Sequence, residues 1–358
     1  MGHSRILIVS DAWLPQVNGV VRTLSTVIRE LAAMGHVAEV IGPDRFRTLP
    51  CPTYPDIRLS LLPRRALARM VDSFCPDSLH IATEGPLGMA ARAEAMQRNW
   101  RFTTAFHTRF PEYLHARTRI PTALSYAWLR HFHAPSAGLM VATQGLQDEL
   151  AERGFRALKP WSRGVDLDLF QPQPQEAWPY ERPVFAYIGR VAVEKNIGAF
   201  LSLDLPGSKV VVGDGPARPA LERRFPKAHF VGMRHGAPLA AAFAGSDVFV
   251  FPSVTDTFGL VLLESLACGT PVAAYPVIGP RDVLRGAEPG VGVTDPDLRK
   301  AALGALATAD RAACRAHANR FSWRACAESF VDNLVPLTGP APHRLDAIRT
   351  DIALPGLS

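Results

Sequence analysis

The sequence predicts an α/β protein of two parallel-sheet domains that face each other across a cleft. Three observations carry that expectation. The chain has 358 residues, more than one ordinary core holds, which suggests two domains of about 150–180 residues each. Continuous apolar runs of strand length alternate with stretches of helical periodicity, the pattern of a sheet buried on both faces. The pattern then restarts beyond the Pro-rich connector FQPQPQEAWPYERP (170–183). The expected units are therefore 1–168 and 169–335, followed at 336–358 by a Pro-, Gly- and polar-rich tail expected to be disordered.

The elements follow in order. RILIVSD (5–11) is a continuous apolar run and reads as the first strand. VVRTLSTVIRELAAMG (20–35) has apolar residues at helical spacing and Gly35 as its stop. HVAEVIGP (36–43) is the next strand, then SLHIAT (78–83), a helix after Gly85, and RFTTAFHT (101–108). In the second half PVFAYIG (183–189) is a fresh first strand, continued by SKVVVGDG (208–215), AHFVGM (228–233), DVFVFPS (247–253) and TPVAAY (270–275). RACAESFVDNLV (324–335) is the final helix.

Composition narrows the function classes. A hydrophobic content of 47% against 20% charged residues describes a globular chain, not a disordered one. The five cysteines are odd in number and scattered, without a C-x-x-C pair, which argues against a disulfide framework or structural zinc and fits a reducing cytosol. The N-terminus MGHSRILIVSDAWLP has neither a long apolar region nor a small-residue cleavage site, so no signal peptide is expected. No run approaches the roughly 18–20 apolar residues that span a bilayer. The net charge of +6 is uneven: residues 1–165 hold 20 Lys+Arg against 13 Asp+Glu, and the remainder 19 against 20. The basic clusters PRRALAR (63–69), HARTRIP (115–121) and LRHFH (129–133) read either as a solvated face or as a dock for an anionic partner such as a membrane surface. No nucleic-acid motif accompanies them.

In open α/β sheets ligands gather beyond the carboxyl ends of the strands, so the loops there carry the chemistry. FAYIGRVAVEKN (185–196) ends a strand and supplies Arg190 and Lys195, a planar fork and a compact charge suited to a diphosphate whose charge grows as a bond breaks. VVVGDGP (210–216), with Gly213, is a Gly-rich turn lacking the third glycine of a dinucleotide fingerprint, and a tight strand-to-helix turn explains it equally well. TDTFGLVLLE (255–264) sets Asp256 in a loop and Glu264 on a short, oily helix stopped by Gly269. The start of that helix is a ready anion site. A carboxylate accepts from two neighbouring hydroxyls at once, so the two acids fit the diols of a nucleotide sugar. Ser253-x-x-Asp256 also fits a capping box. In the first half, Asn18 and Gly19 precede a helix, and Gly19 lets backbone approach a ligand closely. His107 and Arg109 in AFHTRFPEY (105–113) and Glu84 in HIATEGPLG (80–88) stand at strand ends. Asp166 and Asp168 mimic a metal-binding D-x-D but lie at the domain junction, and no metal site is expected.

WSRGVDLDLFQP, IGRVAVEKN, VGDGP, DVFVFPS and TDTFGLVLLESLACGTPV, in that order, resemble a retaining glycosyltransferase of family 4, and the resemblance covers residues 4–335. It implies the GT-B fold, two facing Rossmann-like domains. It implies that Glu264 holds the nucleotide ribose, Asp256 the transferred sugar's hydroxyls, and Arg190 and Lys195 the donor diphosphate. Gly19 approaches the donor from the other domain and His107 lines the reaction site. The expected donor contacts also include Gly189, Gly213, Thr257, Phe258, Gly259 and Leu260; the expected acceptor side is Asn18, Glu84, His107, Arg109 and Tyr113. Two positions depart from the family pattern: Asp256 replaces the first acid of its E-x7-E motif, and Asn18 the first residue of its Gly-Gly turn. NGVVRTL, ATEGPLG and TDTFG are most similar to the lipid-directed branch, the GDP-mannose-dependent α-mannosyltransferases and the sulfoquinovosyl- or glycosyl-diacylglycerol synthases. The resemblance implies front-face transfer with retention, no metal or cofactor, a nucleotide-sugar donor, and a lipid-like acceptor met on the cytoplasmic face of a membrane. A soluble-acceptor transferase, a sugar-nucleotide epimerase and a silent nucleotide-sugar binder are the rival expectations.

Overall fold

The computed structural model describes residues 3–16, 18–51, 54–174 and 178–338. Val17, part of the connector and the tail from residue 339 lie outside the described residues. The strands are β1 (Arg5–Val9), β2 (Val37–Ile41), β3 (Thr48–Cys51), β4 (Tyr54–Ser60), β5 (Ser78–Ile81), β6 (Thr103–Phe106), β7 (Gly138–Val141) and β8 (Leu158–Pro160), then β9 (Val184–Ile188), β10 (Ser208–Val212), β11 (His229–Gly232), β12 (Val248–Phe251), β13 (Val272–Ala274) and β14 (Gly292–Thr294). Two six-stranded sheets run β2-β1-β5-β6-β7-β8 and β11-β10-β9-β12-β13-β14. Their strand pairs are parallel, while β3 and β4 form a separate antiparallel hairpin. β9 and β12 are buried at every residue, as oily runs covered on both faces must be.

Apolar layers lie on both faces of each sheet. Helices Arg64–Phe74 and Pro86–Gln97 cover one face of the first sheet through Leu67, Val71, Leu87 and Ala91. Helix Gly19–Ala33 covers the other through Leu24 and Val27. The final helix, Trp323–Asn333, corrects the expected domain division. It does not stay with the second domain: Trp323, Cys326 and Phe330 pack beside Ile6, Ile8 and Leu24 of the first. The Trp161 indole N–H donates to the Cys326 carbonyl at 3.2 Å, and Asn333 Nδ2 donates to the Pro160 carbonyl at 2.7 Å. The chain thus crosses between domains twice, and the crossings touch. The Val165 N–H donates to the Phe321 carbonyl at 3.2 Å, and a Cβ on Gly164 would meet the Trp323 nitrogen at 2.3 Å.

Candidate active site

In the second sheet the strand order reverses between β9 and β12, so the loops leaving them diverge and open a crevice. The loop after β9 carries Gly189, Arg190 and Lys195; the loop after β12 carries Asp256 and Thr257. Lys195 Nζ lies 2.5 Å from Asp256 Oδ1. Burial opposes the lysine's charge, but Asp256, Tyr113 and Tyr187 around it win and hold its pKa above the ordinary value. Asp256 Oδ2 is buried without a hydrogen-bond partner. Arg190 is half-buried at the mouth of β9, where its carbonyl accepts from the Tyr187 hydroxyl at 2.7 Å. Helix Phe110–Thr118 of the first domain brings Tyr113 across to this point. The Tyr113 hydroxyl bonds to Thr255 beside Lys195, and burial pushes its pKa up to about 12.

Helix Leu260–Ala267 starts at the same crevice. Gly259 precedes it with φ +85°, a left-handed turn that favours glycine. No side chain caps this start, and the Ser253 hydroxyl is buried without a partner, so the capping-box alternative is not realised. The Leu260 side chain would stand 3.9 Å from a Cβ on Gly19, so the starts of helices Leu260–Ala267 and Gly19–Ala33 abut across the gap. One turn on, Glu264 is 3% exposed. Its Oε1 lies 2.5 Å from Arg22 Nη1 of the first domain, and its Oε2 is buried and unpartnered. Burial raises the Glu264 pKa, and Arg22 offsets only part of that.

The first sheet reverses between β1 and β5. Asp11 stands there, and its carboxylate accepts from the N–H groups of Leu87 (2.8 Å) and Gly88 (3.2 Å) and from the Thr83 hydroxyl (2.9 Å). Asn18 caps helix Gly19–Ala33, its Oδ1 accepting from the N–H groups of Val20 and Val21 at 3.0 Å each. Glu84 turns into its own domain, with Oε1 3.3 Å from His133 Nε2. Arg109 is gripped by Glu149 through a fork of 2.5 and 3.1 Å. It still lines, with Asp256 and Arg281, a cavity of about 220 Å³ between the domains. The His107 carbonyl accepts from the Thr257 hydroxyl at 2.8 Å, another hydrogen-bonded link across the gap.

Several expected donor contacts have structural explanations. The Phe258 side chain is 5% exposed in the second domain's core, edge-on to Phe321. A Cβ on Gly213 would come 1.9 Å from the Gly189 carbonyl, so this glycine lets two neighbouring loops touch. Asp166 Oδ1 accepts from the N–H groups of Asp168 and Leu169 in a local turn. Among the described residues no group of three His, Cys, Asp or Glu side chains could hold a metal ion.

Two facing parallel α/β domains, with cations and acids at one strand-order reversal and a helix start beside them, make up the GT-B architecture. Residues 17–169 match the model of Glycosyltransferase Family 4, and residues 182–309 that of Glycosyl transferases group 1. A GDP-mannose-dependent alpha-mannosyltransferase of Mycobacterium tuberculosis is 31% identical over 306 residues, covering 78% of this chain and 81% of that protein. The chain belongs to glycosyltransferase family 4. It is also similar to an alpha-monoglucosyldiacylglycerol synthase of Streptococcus pneumoniae, at 24% identity over 76% of this chain and 71% of that one. Among solved structures, the sucrose-phosphate synthase of Thermosynechococcus elongatus shares the fold with a TM-score of 0.74 at 20% identity, over 92% of this chain and 98% of that one.

Sequence reasoning missed Arg22 and Asp11. Asp11 carried a signal, since it follows β1 as Asp256 follows β12. Arg22 carried none beyond its position on the fourth residue of a helix that starts at the cleft.

Proposed function

We propose that this enzyme transfers a hexose from a nucleotide sugar to a lipid-like acceptor at a membrane surface, with retained configuration and without a metal ion. One observation carries the proposal. Asp256 Oδ2 and Glu264 Oε2 are both buried and unpartnered at the crevice where Lys195 and the Leu260 helix start converge. A buried carboxylate oxygen without a donor is costly, and sugar and ribose hydroxyls supply the missing donors. Lys195 and Arg190 offer positive charge to the leaving diphosphate as the glycosidic bond breaks. The leaving phosphate oxygen takes the acceptor's proton on the same face, which retains configuration.

Exposed apolar side chains support the lipid arm. Leu62, Phe110, Leu124 and Trp128 of the first domain are large apolar side chains exposed to solvent, and the Phe110 and Trp128 rings lie 6.5 Å apart between centroids. Leu62 is 95% exposed with φ +46°. Arg64, Arg65 and Arg119 adjoin them in sequence, a pairing that favours an anionic bilayer. Among the described residues no helix is long and apolar enough to cross a membrane.

A thermal-shift screen with UDP-glucose, UDP-glucuronate, UDP-sulfoquinovose and GDP-mannose comes first, since a ligand at about 100 times its Kd adds about 2.7 kcal/mol of apparent stability. The stabilising donor is then offered with diacylglycerol in anionic vesicles, in the presence of EDTA. The expected product is an α-linked glycolipid, formed more slowly as salt rises. Donor consumption without acceptor, or equal transfer to soluble sugars, would count against the lipid assignment.

A further inference from the structure

Arg163, in WSRGVDLDLFQP, has no task in the reaction above. Its side chain is buried at 5% exposure, and among the described residues no carboxylate pairs with it. Guanidinium groups are seldom buried without such a partner. Arg163 lies over the Trp161 ring, 4.3 Å from its centroid, and donates to the carbonyls of Trp161 (2.5 Å) and Ser162 (3.1 Å). Its remaining contact is with His107: Nη2 lies 3.3 Å from the imidazole Nδ1.

That contact has only one chemical sense. A guanidinium donates and never accepts, so Nδ1 must be the bare nitrogen and the neutral ring carries its proton on Nε2. His107 Nε2 is buried and has no partner. The molecule therefore holds a buried N–H donor aimed at no acceptor of its own, on a residue whose carbonyl is tied to Thr257 of the facing loop. The groups that face the ring are Arg163, His80 on β5, and the Trp161 edge, 5.4 Å between centroids. Burial first, then Arg163 and His80, keep the imidazole uncharged. His80 is itself buried, with Nδ1 2.9 Å from the Thr103 hydroxyl.

We infer that Arg163 is a positioning residue: it fixes His107 as the Nε2–H tautomer, so that the imidazole donates a hydrogen bond to an oxygen of the transferred sugar and does not serve as a base. The sugar as recipient rests on the function proposed above; the tautomer does not. A base at Nε2 would need its proton on Nδ1, where two donors would face each other.

The test is long-range 1H–15N correlation on full-length protein labelled with 15N-histidine, with His107→Gln used to assign the signal. His107 should show the Nε2–H tautomer and no titration from about pH 5.5 to about pH 8.5. A Nδ1–H tautomer, or a mixture, overturns the inference whether or not any sugar is transferred. With the donor found in the screen, Arg163→Met should lower kcat about 10–100-fold while the donor KM moves less than about threefold. It should also free the tautomer, giving a mixture of Nε2–H and Nδ1–H signals, while burial still keeps the ring uncharged. Arg163→Lys, which still donates to Nδ1, should restore the tautomer and most of kcat. Because Gln sets an amide N–H near the Nε2 position, His107→Gln should keep at least about tenfold more activity than His107→Ala. Arg163→Met with unchanged tautomer and unchanged kcat also overturns it.

Discussion

The two strand-order reversals hold the same kind of residue in opposite conditions. Between β1 and β5, Asp11 is 6% exposed and both its oxygens are filled by Leu87, Gly88 and Thr83 of its own domain. Between β9 and β12, Asp256 pairs with Lys195 through one oxygen and leaves the other buried and open. Glu264 repeats the second condition, with Arg22 on one oxygen and nothing on the other. A crevice formed by topology alone is not a binding site. What separates the two is hydrogen-bonding capacity, which the first domain spends on anchoring helix Pro86–Gln97 and which, in the function proposed above, the second offers to a ligand.

Mutations should separate the two kinds of acid. Arg190→Ala or Lys195→Ala should cost about 10²–10³ in turnover, and wild-type turnover in either variant would remove that cation from the mechanism. Lys195→Ala should also lower the melting temperature, because it leaves Asp256 buried without its cation, whereas Arg190→Ala should change it little. Asp11→Ala should show the reverse, a stability loss of about 1–3 kcal/mol from the orphaned donors, with nucleoside diphosphate affinity within about twofold in calorimetry. Loss of affinity at unchanged stability would instead make the first reversal a ligand site.

Arg22→Met should weaken nucleoside diphosphate binding about tenfold, the equivalent of one modest charge-assisted hydrogen bond. Its stability effect has a definite sign with pH. The Glu264 pKa is already raised from its ordinary 4.5 by burial, and losing Arg22 raises it further. Wild type and variant should therefore be closest in denaturant titrations near pH 4, where both carboxyls are protonated, and diverge as pH rises. A gap that closes with rising pH would refute the pairing. The smallest effect belongs to Asp168→Ala, expected within about 0.5 kcal/mol of wild type and equally active with and without EDTA.

Much of this was legible in the sequence because inner strands must be oily. RILIV, VFAYI and VFVF announce themselves as buried on both faces, and their ends locate Lys195 and Asp256. LKP of β8, GVT of β14 and the hairpin of β3 and β4 escaped notice because edges and additions need no such run. Helix Trp323–Asn333 was visible as a helix, but an apolar stripe does not say which core it covers. Arg22 and Arg163 were hidden for another reason: each takes its meaning from a partner that only folding brings near, Glu264 in one case and His107 in the other.

The double crossing at Gly164–Val165 and Phe321–Trp323 bears on how the enzyme admits its substrates. Two stretches of chain bound side by side stand where a book has its spine. Covers turned about such a spine would part most where they lie farthest from it, at the outer mouth, and least at the inner margin. Adding a methyl at Gly164, where the Trp323 nitrogen already stands within 2.3 Å of the new atom, would wedge the binding itself.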